Sequence, residues 1–400
     1  MKITVVCDIY GRENNGSDIV ANNLIRFLQS QKHDVRILCA DQKKKGLENY
    51  YVVPNMHFGK AIDNYVEKVG VSIAKPDKEI IREALEGVDA VHIMMPFPLG
   101  LAAVKVAKEM NLPITSGFHV QAENITAYFK INKIQLANDL TYKFIYDHFY
   151  RYCDAIHYPT QFIRDEFEES IKKYTSGYVI SNGVHSYVKR RPVEKPEEYK
   201  DKIVILTTGR YANEKSQDTL IKAIHHSKYK DKIQLILGGE GIREEYYRKL
   251  AEGLPNPPLF KFYSRTEIID VLNYADIYVH PAIIELEGIS CIEAIACGKL
   301  TIVSDSKLSA TRNFAVDDKC VFKAMDDRDL ARVIDYWIEN EDERKKYEKK
   351  YLHSAVAFDQ TECMKRMEKM IFTAIKTHKA ISEPSFVGQS EYPYHYVVIR

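Results

Sequence analysis

Ile277-Tyr278-Val279-His280-Pro281-Ala282-Ile283-Ile284-Glu285-Leu286-Glu287-Gly288-Ile289-Ser290-Cys291-Ile292-Glu293-Ala294-Ile295-Ala296-Cys297-Gly298 holds the change of period on which the fold reading turns. Ile277–His280 is a short apolar run that stops at Pro281, the pattern of a buried strand. A loop with Glu285 and Gly288 follows, and an apolar helix is expected from about Ser290. Glu293 lies near the first turn of that helix and would otherwise interrupt its apolar run. As a helix-start acid it complements the positive end of the dipole. With Glu285 it also sets two carboxylates around one helix start, beside the free amides of Gly288, Ile289 and Ser290. Carboxylates suit the hydroxyls of a sugar and a ribose, and amides suit phosphate oxygens.

The same alternation runs through the chain. Ile3–Cys7, Val35–Cys39, Ala90–Met95, Pro113–Gly117 and Ala155–Tyr158 read as buried strands separated by helices. The first such helix is expected to be capped by Ser17 and to bury Val20, Leu24, Phe27 and Leu28. Residues 189–202 (KRRPVEKPEEYKDK) are charged, contain proline and lack an apolar period, so they read as a linker. Ile203–Thr208, Gln234–Leu237, Leu259–Tyr263, Ile277–His280 and Thr301–Ser304 then repeat the strand pattern. Strands alternating with helices build parallel sheets covered on both faces. The expected fold class is α/β, two tandem Rossmann-like domains with a cleft between them. The first is expected over 1–188 and the second over 189–359. Asp327–Glu339, Glu341–Val356 and Gln360–Lys379 carry helical period. The last of these has Met364, Met367, Met370 and Ile371 in need of a partner surface, and should cross back to the first domain, with the tail 380–400 as an extra edge strand or a strap on the surface.

Composition narrows the function classes. The 400 residues are 45% hydrophobic, 28% charged and 11% aromatic, which excludes disordered, collagenous and coiled-coil chains. A net charge of +1 argues against a nucleic-acid binder. The 7 cysteines are odd in number and form no CxxC pair, so reduced thiols are expected. No apolar stretch approaches the roughly 20 residues of a spanning helix, and the N-terminal run is too short for a signal peptide. The expected location is cytoplasmic, or peripheral on the inner face of the membrane.

Two further loops follow strands, where ligands sit in parallel sheets. Gly16 precedes a helix start and lets a phosphate approach backbone amides; the GxGxxG fingerprint is absent, which speaks against a dinucleotide cofactor. Arg210 and Lys215 follow Gly209 on one short loop, an arrangement suited to a diphosphate. Asp327-Arg328-Asp329 spells DxD but opens an amphipathic helix, where capping is the expected role. His225-His226 has no third ligand at useful spacing, so no metal is expected.

These residues together resemble a known family. Glu285 and Glu293 resemble the ends of the E-x7-E motif of retaining glycosyltransferases of the GT-B fold, family 4. Gly209-Arg210…Glu214-Lys215 resembles its GR-x-x-x-EK motif, Asn182-Gly183-Val184 its NGVD turn, Gly238-Gly239-Glu240-Gly241 its G-x-G loop, and Ala275-Asp276-Ile277 its AD-I strand entry. The resemblance spans roughly Met1 to Thr377. It implies a nucleotide-diphosphate sugar donor, a UDP-sugar, with no cofactor or metal. Arg210 and Lys215 would neutralise the leaving diphosphate, Glu293 would bind ribose, and Glu285 the sugar. Gly288, Ile289 and Ser290 would touch sugar and phosphate, and Gly16 would approach the diphosphate from the other domain. His119 matches the family's histidine after a central strand and would hydrogen-bond the sugar. His185, Glu287, Asn15 and Lys299 depart from the family pattern.

Phe118–Ile125 and Ser306–Thr311 are similar to bacterial enzymes that glycosylate diacylglycerol, which implies a lipid acceptor. A soluble saccharide, a lipid-linked glycan precursor, or non-catalytic nucleotide-sugar binding are the alternatives. Independently, Tyr128–Tyr152 mixes Lys130, Lys133, Lys143 and Arg151 with aromatic rings, a composition that suits an anionic membrane surface or a core-packed helix with solvated lysines.

Overall fold

A computed structural model of the chain describes residues 1–8, 10, 16–56, 74–128 and 134–382. Its long strands fall into two parallel sheets. The first contains β1 (Lys2–Cys7), β2 (Asp34–Cys39), β3 (Tyr50–Val52), β4 (Ala90–Ile93), β5 (Ile114–Gly117), β6 (Ala155–Tyr158) and β7 (Gly177–Val179), in the order β3-β2-β1-β4-β5-β6-β7. The second contains β8 (Ile203–Thr208), β9 (Ile233–Gly238), β10 (Leu259–Lys261), β11 (Ile277–His280), β13 (Leu300–Ser304) and β15 (Val321–Phe322), in the order β10-β9-β8-β11-β13-β15. β12 (Ile284–Glu285) and β14 (Leu308–Ser309) form a separate parallel pair. Strand order reverses between β1 and β4 and again between β8 and β11, which opens a crevice at the carboxyl end of each sheet. The apolar runs that signalled strands are buried throughout β4, β6, β9 and β11, as expected of strands covered on both faces.

The strands read from the sequence agree with it to within a few residues. The five not read there are two or three residues long, too short to show a period: β3, β7, β12, β14 and β15. The first helix begins at Gly16 and runs to Ser30, so Ser17 lies in its first turn and not at the cap. Its expected face is correct, with Val20, Leu24 and Leu28 buried. At the DxD, the cap is Asp326, whose side chain accepts from Asp329 N; Asp327 and Asp329 form the acidic first turn. The seven cysteines are free thiols.

The helix Gln360–Ser382 returns to the first sheet. Met364, Met367, Met370 and Ile371 are buried there with Ile3, Val5, Ala90 and Ala155, while Arg366 donates to Val179 O at 2.8 Å. The chain therefore crosses between lobes twice, and the crossings touch. Val184 N donates to Phe358 O at 2.8 Å, and Gln360 N donates to Val184 O at 3.1 Å. The expected linker carries one short turn, Glu197–Tyr199, and is pinned by Lys195, which pairs with Asp276 at 2.7 Å. Among the described residues no helix is long and apolar enough to cross a membrane.

Candidate active site

Two strand ends of the second sheet, with β12 beside them, build one cluster. β8 ends at Thr208, and its loop turns through Asn213–Lys215. Ile283 N donates to Glu214 O at 2.8 Å, which stitches this loop to the segment after β11. Lys215 and Glu285, 70 residues apart in sequence, thereby form an ion pair. His280, at the end of β11, adds a contact from Nε2 to the same Glu285 oxygen at 3.0 Å. Behind it lie the Tyr278 hydroxyl, 3.3 Å from His280 Nδ1, and Thr208 Oγ1, 2.9 Å from that hydroxyl. Burial pushes the Glu285 carboxyl up, but Lys215 and His280 outweigh it and hold the group at about 2. Glu285 is thus ionised at neutral pH.

Gly288 caps the helix Ile289–Ala296 with φ of +85°, a left-handed conformation that glycine adopts without strain. A Cβ there would also stand 2.6 Å from Thr311 Cγ2. No side chain caps this end. The first-turn amides have no partner within the helix, so Ile289 and Ser290 supply donors beside Glu285. Glu293, one turn on, pairs with Arg265 at 2.9 Å, and burial raises its carboxyl against that charge. The Gly238–Gly241 loop backs onto Gly209, and a Cβ on Gly239 would stand 2.1 Å from Gly209 O, so only glycine fits.

Arg210 shares the Lys215 loop but lies at its rim, with its side chain 63% exposed and paired to Glu214 at 2.8 Å. His119 and Gly16 belong to the first lobe, and among the described residues no hydrogen bond joins either to the cluster. Gly16 is the first residue of its helix and not the one before it, while residues 11–15, Asn15 among them, lie outside the described residues. The His119 ring folds over Gly117, where a Cβ would stand 2.2 Å from its Nε2, and faces His157 with ring centroids 5.5 Å apart. Its buried Nε2 has no partner among the described residues. Burial, with His157 and His92 nearby, pushes the imidazole well below its usual range, so it is neutral at pH 7.

Sequence reasoning missed His280, Arg265 and the role of Glu287. A polar residue closing an apolar strand before Pro281 was a signal for His280. Arg265 had none, because its partner lies 28 residues away. Glu287, noted as a departure, is a buried carboxylate tied to the first lobe. It accepts from Ser181 Oγ at 2.5 Å and from Asn182 Nδ2 at 2.6 Å. Burial raises it to about 7 in spite of these donors. His185 stacks on Tyr187, ring centroids 4.9 Å apart. Lys299 donates to Asn273 O at 2.6 Å and Ala275 O at 2.9 Å, closing the end of the helix Glu267–Tyr274.

Comparison with known proteins agrees with this architecture. Residues 14–186 match the model of Glycosyltransferase Family 4, and residues 188–351 match that of Glycosyl transferases group 1. The chain belongs to the GT-B glycosyltransferases, family 4. This glycosyltransferase is 25% identical over 315 residues to an alpha-monoglucosyldiacylglycerol synthase of Streptococcus pneumoniae, covering 74% of this chain and 70% of that one. It is 41% identical to the catalytic domain of cholesterol-alpha-glucosyltransferase from Helicobacter pylori, over 38% of this chain and 97% of that one, with a TM-score of 0.38. The Anabaena HepE structure, solved with UDP and glucose, covers 93% of this chain at 14% identity and a TM-score of 0.72, a likeness of fold.

Proposed function

We propose that this glycosyltransferase moves a hexose from a UDP-sugar to a membrane lipid hydroxyl, such as that of diacylglycerol, with retention of anomeric configuration and without a metal. The observation that carries the donor reading is the meeting of Lys215, Glu285 and the Ile289–Ser290 helix start at the crevice end of the second sheet. In the reaction the bond from the anomeric carbon to the diphosphate oxygen breaks. The acceptor oxygen joins that carbon on the same face, and the acceptor proton passes to the departing diphosphate. Lys215, Arg210 and the helix amides neutralise the departing charge, a role that positioned donors perform best where water is excluded. Glu285 holds the sugar hydroxyls, Glu293 the ribose, and Gly16 approaches the diphosphate from the first lobe. His119, neutral, keeps an unpaired nitrogen for the sugar.

Incubation with UDP-hexoses and a lipid extract is expected to yield a lipid heavier by one hexose, at equal rate with and without EDTA. Complete loss in EDTA, restored by Mn²⁺ or Mg²⁺, would overturn the metal-independent reading. A product formed only on soluble saccharides would overturn the lipid one.

The lipid reading is supported by the naming of the pneumococcal relative and by one surface. On the helix Gln135–His148, Asn138, Tyr142 and Ile145 are buried, while Leu136, Leu140 and Phe144 lie at 67%, 57% and 56% exposure along the opposite face, beside Lys143. The aromatic rings follow the core-packed alternative: Tyr142 and Tyr150 pack with Phe118 and Phe167, Phe149 lies edge-on to Tyr150, and the exposed apolar groups are Ile134, Leu136, Leu140 and Phe144. Lys130 and Lys133 lie outside the described residues. An apolar stripe with flanking lysines adsorbs to an anionic surface, each lysine contributing about 1 kcal/mol. Liposome sedimentation should show binding that rises with anionic lipid and falls with salt. Leu136→Ser/Leu140→Ser/Phe144→Ser should lose most of it while donor affinity stays. If the triple variant sediments like the parent, the stripe is not the contact.

A further inference from the structure

The loop that carries the donor site belongs to the second sheet, yet its contacts past Glu285 run to the first lobe. Thr160 Oγ1 donates to Leu286 O at 2.8 Å, and Leu286 packs on the first-lobe core. Glu287 accepts from Ser181 Oγ, from Asn182 N at 3.1 and 3.3 Å, and from Asn182 Nδ2. Ile289 packs against the cluster formed with the returning helix. Ser181 and Asn182 directly precede Gly183-Val184, where the chain leaves the first lobe. Those residues lie against Phe358–Gln360, where it returns, so closely that a Cβ on Gly183 would stand 2.6 Å from Gln360 Cα. Glu287 is therefore tied to the place about which any rotation of the lobes must pivot.

We propose that Glu287 is a positioning residue that fastens the donor loop to the paired crossings, so that lobe closure sets the placement of Glu285 and of the Gly288–Ser290 amides. The proposal rests on the donor-site reading above. The chemistry favours it over a bland packing role. A buried carboxylate is retained where charge-assisted hydrogen bonds hold it, and an apolar side chain would fill the same space without that cost. Among the described residues all of its hydrogen bonds come from two consecutive residues of the other lobe. It thus adds direction to the contact as well as adhesion. Glu287 lies two residues from Glu285 and directly before Gly288, so a shift of its carboxylate is passed to both.

The test uses the full chain and two readouts, amide hydrogen exchange and steady-state transfer from a UDP-hexose. In Glu287→Ala, exchange over 181–184 and 285–290 should quicken about tenfold or more, while β8 stays at the parent rate. Turnover should fall about tenfold or more, with KM for the donor within about threefold of the parent. Asn182→Asp, which sets two carboxylates face to face, should show the same defects. Glu287→Gln/Asn182→Asp, which exchanges acceptor and donor across the contact, should recover most of the turnover and the slow exchange. Circular dichroism identifies any variant that fails to fold, and the double variant then carries the test against Asn182→Asp. Parent-like exchange in Glu287→Ala, a loss confined to KM, or no recovery in the double variant would overturn the proposal. If the parent transfers no hexose, the donor reading is lost, and the exchange arm alone decides whether Glu287 fastens the loop.

Discussion

Lys215→Ala is expected to lower turnover by about 100- to 1,000-fold, the usual cost of losing one preorganised group that faces developing charge. Lys215 is largely enclosed and paired with Glu285, so its charge is poorly screened, and on the proposed reading it faces the departing diphosphate. Its effect belongs mainly to the transition state, because negative charge on the diphosphate grows as the sugar leaves; kcat should fall more than KM rises. The substitution also leaves Glu285 with His280 as its remaining partner in a buried setting, which raises that carboxyl and weakens its hold on the sugar. Arg210→Ala should cost much less, about tenfold, since the exposed guanidinium at the rim is screened by water and salt. Initial rates, with circular dichroism to verify folding, decide the matter. A Lys215→Ala enzyme within a few-fold of the parent would remove this residue from the leaving-group site.

The second large effect concerns stability. Asp8, at the end of β1, is buried and accepts from Leu99 N at 2.8 Å and Gly100 N at 3.0 Å, at the start of the helix Pro98–Glu109. Burial raises its carboxyl from 3.8 to about 7, although both amides pull the other way. Below the unfolded value the group is protonated in both states and costs nothing. As pH rises toward 7 the unfolded chain ionises freely while the folded one resists, so stability is lost across that window and the loss is complete above it. A shift of this size corresponds to about 4 kcal/mol. Asp8→Asn cannot ionise. Its stability relative to the parent should therefore improve by up to that amount between pH 4 and pH 8. His92 and His157, whose burial lowers them to about 3 and about 4, act in the opposite direction in both proteins and cancel in the difference. Urea titrations of both proteins at several pH values measure it. Parallel curves would mean that Asp8 does not carry the load.

What could be read from sequence follows from range. The strands at the centres of both sheets announce themselves because burial on two faces leaves unbroken apolar runs, and Glu285, Gly288 and Glu293 lie within one strand, loop and helix. Lys215 could be placed on a strand-end loop, but not in contact with Glu285. Arg265 and Glu287 acquire their roles from partners brought up by other strands, and in Glu287 the partner lies 105 residues away. The orientation of His119 was equally hidden. Gly117 makes room for its ring, and nothing local announces that a glycine serves a neighbour two residues on. Composition left open whether the rings of Tyr142 and Tyr150 face lipid or core; both are core, Tyr142 on the narrow buried face of the helix Gln135–His148 and Tyr150 in the turn after it.

The return of the last helix bears on how the protein is made. A ribosome that has released the first sheet has not yet released Met364, Met367, Met370 and Ile371, which cover Ile3, Val5, Ala90 and Ala155. That apolar face stays uncovered while about half of the chain is still being synthesised, at roughly 5–20 residues per second. The second sheet needs no such wait, since its core is drawn largely from residues 184–351. The first lobe can fill one face of its sheet from residues 6–171, but the other face waits until after the later half has completed its core, and that face is what a chaperone would have to shield on the emerging polypeptide.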